Sequence, residues 1–231
     1  MVLPWRMVKN KLAQVIFQVV YCVLGVLGVF GSFGYFKGTF SNNFYVYYTN
    51  LSNYICLGFM VAALIVTIRR ANLGERGAVN LAPAFNFWCV IMILVTCLVY
   101  NFLLAGDMTP AQYWLTFHNV LLHLVLPIMF IVHWAVFCEH RRLRWFDPLL
   151  CTVMPLVYVV IILIRSVIMH NVAGALLYPY FFLDVGKLGW GGVIGWVCAL
   201  LVAFVAIGYL FFALDHWQTI RQKLGKVKSE K

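Results

Sequence analysis

Long apolar stretches, separated by short polar segments, follow one another along this chain. Each comes near or above the roughly 20 residues that a helix needs to cross a bilayer. Six stretches can be recognised, at about 12–36, 44–68, 85–104, 115–137, 149–169 and 191–214. The pattern predicts an all-α fold, an integral membrane bundle of six transmembrane helices that forms a single domain over residues 1–231. A basic tail, 215–231, follows the last stretch.

Composition agrees with this prediction and adds an orientation. The chain is 64% hydrophobic and 10% charged, which excludes an ordinary soluble domain. Its basic residues cluster in alternate polar segments: Arg6, Lys9 and Lys11; Arg69, Arg70 and Arg76; Arg141, Arg142 and Arg144; then the tail. The other three loops hold only Lys37 and Lys187. Because basic residues mark the cytoplasmic side, we predict that both termini are cytoplasmic.

The same topology accounts for the formal net charge of +10 without any role in nucleic acid binding. Membrane lipids are the partners that we expect, with the tail near anionic headgroups. The cysteines lie in or beside the apolar stretches, and the histidines lack the clustered spacing of metal sites. We therefore predict no metal, no cofactor and no disulfide framework. Gly25, Gly28, Gly31 and Gly34 recur every third residue and predict close helix packing.

The second apolar stretch opens with a polar segment, Tyr47-Tyr48-Thr49-Asn50-Leu51-Ser52-Asn53. Thr49, Ser52 and Asn53 are spaced so that they share one face of a helix. Hydrocarbon penalises unpaired polar groups by several kcal/mol each, at order of magnitude, so these side chains need partners or a water-filled pocket. The simpler alternative is that Thr49 and Ser52 only cap the start of the helix.

Other polar residues fall at the same predicted depth, on the non-cytoplasmic side. They are Asn50, Tyr100, Asn101, His118, Asn119, His123, Tyr158, Arg165, Tyr178 and Asp184. The cytoplasmic half offers fewer, namely His133, Asp215 and His216. This concentration predicts a polar pocket that opens toward the outer leaflet.

A hydroxyl beside a histidine is the minimal pair for ester hydrolysis, and Thr49 and His123 can fill these roles as nucleophile and base. Asn50, Asn53 or Arg165 could stabilise the developing oxyanion. Asp184 is the one nearby carboxylate that could orient the histidine. Two alternatives stay open: His123 as a hydrogen-bonded core residue, and Arg165 as a side chain that reaches the headgroups or pairs with Asp184.

At these residues the chain resembles a known family. The segments Thr49 to Asn53, His123 to Pro127, Pro155 to Arg165 and Tyr178 to Asp184 are similar to bacterial six-span membrane proteins. Those proteins are distant relatives of the androgen-induced-gene and androgen-dependent TFPI-regulating proteins. The resemblance implies a bacterial plasma membrane and hydrolysis of fatty acid esters of hydroxy fatty acids. It also implies that Thr49 is the nucleophile and His123 the base.

We therefore expect an intramembrane lipid ester hydrolase that works without a cofactor. The alternatives are a non-enzymatic membrane protein that binds a lipid or small polar ligand, and a small transporter. Neither half of the chain resembles the other, and transporters usually show such repeats.

Overall fold

The computed structural model describes residues 10–38, 40–73, 81–106, 109–138, 140, 142–172 and 174–217. Within these residues six helices are long and apolar enough to cross a membrane, and no strand occurs. We number them spans one to six: Lys11–Ser32, Tyr48–Asn72, Pro83–Leu104, Phe117–Phe137, Asp147–Ile168 and Val185–Asp215. The predicted all-α, six-span architecture is confirmed. Arg6, Lys9, Arg76, Arg141 and most of the basic tail lie outside the described residues.

Span six begins several residues earlier than hydropathy predicts. The Asp184 carboxylate caps its first turn by accepting a hydrogen bond from the Lys187 N–H at 3.1 Å. Helical geometry then breaks at Gly189, whose φ of 65° and ψ of 170° lie in a region that only glycine enters without strain. A short capped turn therefore precedes the long apolar helix, and hydropathy alone detects only the second part.

Contacts between distant segments define the two ends of the bundle. At one end, Lys11 Nζ donates to the Arg70 carbonyl at 3.1 Å, and His140 Nδ1 lies 2.8 Å from Asp215 Oδ1. We call this the basic end. Tyr180 contacts Thr49 at the opposite end of the spans. The N-terminus of span one and the C-terminus of span six therefore both lie at the basic end.

Span one packs closely against spans two and four through its glycines. A Cβ at Gly25 would lie 2.7 Å from Leu57 Cδ1, and one at Gly28 would lie 2.9 Å from Leu122 Cδ2. Both distances are below ordinary contact, so an added side chain would require the two leucines to shift. The packing role predicted for this row of glycines is confirmed for Gly25, Gly28 and Gly31, where an added Cβ would meet Leu57, Leu122 and His118, but not for Gly34, which lies past the helix in a turn with a φ of 82°.

Candidate functional site

A cavity of about 350 Å³ lies at the end of the bundle opposite the basic end. Thr49 and His123 both line it, one from span two and one from span four. The remaining lining residues come from spans one to four and from two of the loops at this end. They are Ser32, Ser41, Phe44, Tyr47, Asn50, Tyr100, Leu104, His118, Asn119, Leu122, Pro179 and Tyr180. The nucleophile and base inferred from the sequence therefore face one shared space.

Thr49 lies inside the first turn of span two and does not cap it. The cap position is Tyr47, which makes no side-chain capping bond. The Thr49 N–H instead donates to the Tyr180 hydroxyl at 3.1 Å. Ser52 Oγ donates to the Thr49 carbonyl at 3.0 Å, deeper in the helix. Capping by Thr49 and Ser52 is thus not the arrangement found, because a side chain from the loop before span six satisfies this N–H.

The Tyr180 hydroxyl stays protonated at neutral pH in this setting. Burial raises the pKa of Tyr180 to about 12, although hydrogen bonds with Thr49 and with the Tyr48 backbone oppose the rise. The hydroxyl accepts the Thr49 N–H, so its own hydrogen points away from that bond. Tyr180 is therefore a neutral O–H donor beside the candidate nucleophile, at the positive end of a helix.

His123 lies in a widened, π-helical turn of span four, Leu121–Val125. Here the Leu126 N–H donates to the Leu121 carbonyl rather than to that of Leu122. Pro127 has no N–H to donate to His123. The carbonyls of Leu122 and His123 thus lose the bonds they would have in a regular α-helix.

Two asparagines supply the missing donors. Asn53 Nδ2 donates to the Leu122 carbonyl at 2.9 Å, and Asn101 Nδ2 donates to the His123 carbonyl at 3.0 Å. Asn53 Nδ2 also donates to the Thr49 carbonyl at 2.7 Å. The Asn53 amide therefore links the backbone of Thr49 to the backbone of Leu122, the residue before His123. Both asparagines hold span four in place. Asn53 has no N–H left for an oxyanion, which corrects that predicted role.

The ring of His123 is held on two sides. It stacks on Tyr100, itself in a π-helical turn (Tyr100–Leu104), with ring centroids 3.5 Å apart and planes 10° apart. His123 Nδ1 lies 3.0 Å from the Asn119 carbonyl. Since a carbonyl only accepts, Nδ1 carries the hydrogen, and Nε2 of the neutral ring keeps its lone pair. Nε2 is buried and has no hydrogen-bond partner. An unprotonated ring nitrogen without a competing partner is one property that a general base needs.

The other predicted site residues divide into two groups. Asn50, Tyr100, His118 and Asn119 line the cavity with Thr49 and His123. Asn50 Nδ2 donates to the Phe44 carbonyl at 3.0 Å and keeps a second hydrogen. Ser52, Asn101, Tyr158, Tyr178, Arg165 and Asp184 do not line it.

Arg165 and Asp184 have partners of their own. Arg165 donates to the Leu176 carbonyl at 2.5 Å and lies over the Tyr45 ring. Asp184 caps span six and pairs with Lys187 at 3.7 Å. Neither residue lines the cavity. Their positions therefore do not support oxyanion stabilisation by Arg165 or orientation of the His123 ring by Asp184.

Sequence reasoning missed Tyr180 and several buried polar residues near the basic end. Tyr180 belongs to the aromatic-proline-aromatic run Tyr178-Pro179-Tyr180, which was the available signal. Gln14 and Gln18 are fully buried, and Gln18 Nε2 lies 3.1 Å from His133 Nε2. Buried polar groups are therefore more evenly spread between the two ends than the sequence suggested.

Replacing Tyr180 by phenylalanine tests its role as a donor. For the ester hydrolysis that the sequence predicts, we expect kcat to fall about 10- to 100-fold, because the O–H beside Thr49 and the partner of the Thr49 N–H are both lost. Steady-state kinetics of the purified variant measure this. Tyr178→Phe is the matched control, since Tyr178 lies two residues away and outside the cavity. Similar losses in both variants would contradict a specific role for Tyr180.

Comparison of the chain with protein family models, with curated proteins and with solved structures gives no match.

Proposed function

We propose that this membrane protein hydrolyses lipid esters, with Thr49 as nucleophile and His123 as base. The observation that carries the proposal is that His123, whose buried Nε2 has no hydrogen-bond partner, lines the same cavity as Thr49. A base without a competing partner is free to accept a proton from an approaching hydroxyl. The resemblance noted for these residues supports the same two roles, and fatty acid esters of hydroxy fatty acids are the substrates that it suggests.

The chemistry follows from the positions of these groups. His123 Nε2 takes the proton as the Thr49 oxygen bonds to the ester carbonyl carbon. The Tyr180 hydroxyl and the free hydrogen of the Asn50 amide are the donors for the resulting oxyanion. When the tetrahedral intermediate collapses, the ester C–O bond breaks and the imidazolium returns its proton to the leaving alcohol. Water, activated by the same histidine, then releases the acid from Thr49.

The orientation in the membrane is part of the proposal. We place the basic end on the cytoplasmic side, because Lys11, Arg69, Arg70, Arg142 and Arg144 belong to it. The cavity then opens toward the outer leaflet.

One observation favours a second function, the binding of a lipid or small polar ligand without chemistry. His123 Nδ1 is bonded to a backbone carbonyl, and no carboxylate lines the cavity among the described residues. In hydrolases that use a histidine as base, a carboxylate commonly accepts the hydrogen on its Nδ1. A backbone carbonyl fixes the same tautomer, which is why we favour hydrolysis.

The test is ester hydrolysis by the purified protein in detergent or liposomes, with a long-chain p-nitrophenyl ester as substrate. We expect release of p-nitrophenol well above the rate in matched protein-free samples. Tight binding of the ester with release no faster than in those samples would favour the second function.

A further inference from the structure

A narrow apolar slot adjoins the polar cavity and shares Thr49 and Tyr180 with it. Its other walls come from spans three, five and six and include Val99, Leu156, Val159, Val197 and Leu201. No polar surface faces this slot, although polar groups line much of the neighbouring cavity. Thr49 therefore stands where an apolar space meets a polar one.

Span five leaves room for the slot. Its first turn, Asp147–Leu150, packs against spans three and six. Beyond this turn, a second cleft, mainly apolar and lined by Met154, Val157 and Ile161, lies on the other side of the helix, between spans five and two. Span five is thus flanked by open space on two sides. Leu156 lines the slot and is 40% exposed, so the slot wall meets the outer surface of the bundle at this side chain.

We propose that this slot holds the hydrocarbon chain of the ester, while the polar cavity holds its hydrophilic part. The inference rests on the proposed function and names the substrate class. The part of the slot along span six, from Val197 to Phe204, is about 10 Å long at 1.5 Å per residue. The substrates are therefore esters of a hydrocarbon acid, taken laterally from the outer leaflet.

Because the slot is narrow, one larger side chain should close it. We would replace Val197, in the slot wall, by phenylalanine and use Val202→Phe as the matched control. Val202 lies on the same helix and is 68% exposed on its outer surface. Both changes add the same volume to span six, but only the first adds it inside the slot.

The readout is kcat/KM for p-nitrophenyl butyrate and dodecanoate, which share a leaving group and differ in chain length. In Val197→Phe we expect the dodecanoate-to-butyrate ratio to fall at least roughly tenfold. In Val202→Phe the ratio should match that of the wild type. An unchanged ratio in Val197→Phe would overturn the inference.

A second measurement does not depend on catalysis. A fatty acid with a diazirine at its chain end is crosslinked to the protein in liposomes, and the labelled peptides are identified by mass spectrometry. Label on residues 197–204 of the wild type and its loss in Val197→Phe support the slot even if no ester is hydrolysed. Hydrolysis by a protein labelled elsewhere would overturn the slot and leave the proposed function standing.

Discussion

Alanine at Thr49 or at His123 is expected to lower kcat for ester hydrolysis by at least roughly 10³-fold. The two residues act on one proton and one carbonyl, so the loss of either removes covalent catalysis. The double variant should therefore be no slower than the worse of the single variants. The measurement is steady-state kinetics of the three purified variants beside the wild type, with Thr49→Ser expected to keep part of the activity.

Matched controls come from the same two helices. Thr67 lies further along span two, where its hydroxyl donates to the Ala63 carbonyl at 2.8 Å. His133 lies further along span four and is as buried as His123, with 1% exposure against 5%. Thr67→Ala and His133→Ala should keep activity within severalfold of the wild type. Losses in these controls as large as those in the cavity variants, or additive losses in the double variant, would refute the paired roles.

Asn53→Leu is expected to have the next largest effect. The change preserves size but removes the amide hydrogens that bond the Thr49 and Leu122 carbonyls. The Leu122 carbonyl then loses a buried partner, at a cost of about 1–3 kcal/mol in folding free energy. The spacing of Thr49 and His123 should loosen as well, because this amide joins their backbones. We expect a lower thermal midpoint and a fall in kcat of about 10²-fold, since small misplacements of reacting groups are costly.

Asn86→Leu separates stability from catalysis. Asn86 is as buried as Asn53, with 1% exposure against 2%, and its amide donates to Cys138 toward the basic end. Both variants should melt at lower temperature, but only Asn53→Leu should lose activity per folded molecule. Thermal unfolding and kinetics on the same preparations provide the comparison. A parallel loss of activity in both variants would mean that Asn53 serves folding alone.

Sequence periodicity predicts the spans and the buried face of span two well. Thr49, Ser52, Asn53 and Cys56 are all at most 6% exposed, as their i, i+3, i+4, i+7 spacing requires. Hydropathy is a strong signal because bilayer thickness sets the length of each helix. The beginning of span six was harder to predict, because the cap at Asp184 and the break at Gly189 are local features without an apolar signature.

Two features of the site could not be predicted from the sequence. The π-helical turns around Tyr100 and His123 depend on tertiary contacts, since Asn53 and Asn101 reach span four from neighbouring helices. Tyr180 lies in a loop, where no hydrophobic periodicity indicates which side chain points into the bundle. Its contact with Thr49 joins residues 131 positions apart. Polar residues at one predicted depth indicated a site, but the hydrogen bonds within it required the fold.

The most direct test of the central claim is to locate the covalent intermediate. The purified protein is treated with a fluorophosphonate probe, which reacts with activated hydroxyl nucleophiles, and the modified peptide is sequenced by mass spectrometry. We predict one adduct on Thr49 in the wild type, none in Thr49→Ala, and much slower labelling in His123→Ala. An adduct on another residue, or equal labelling of the wild type and Thr49→Ala, would contradict the assignment of Thr49 as nucleophile.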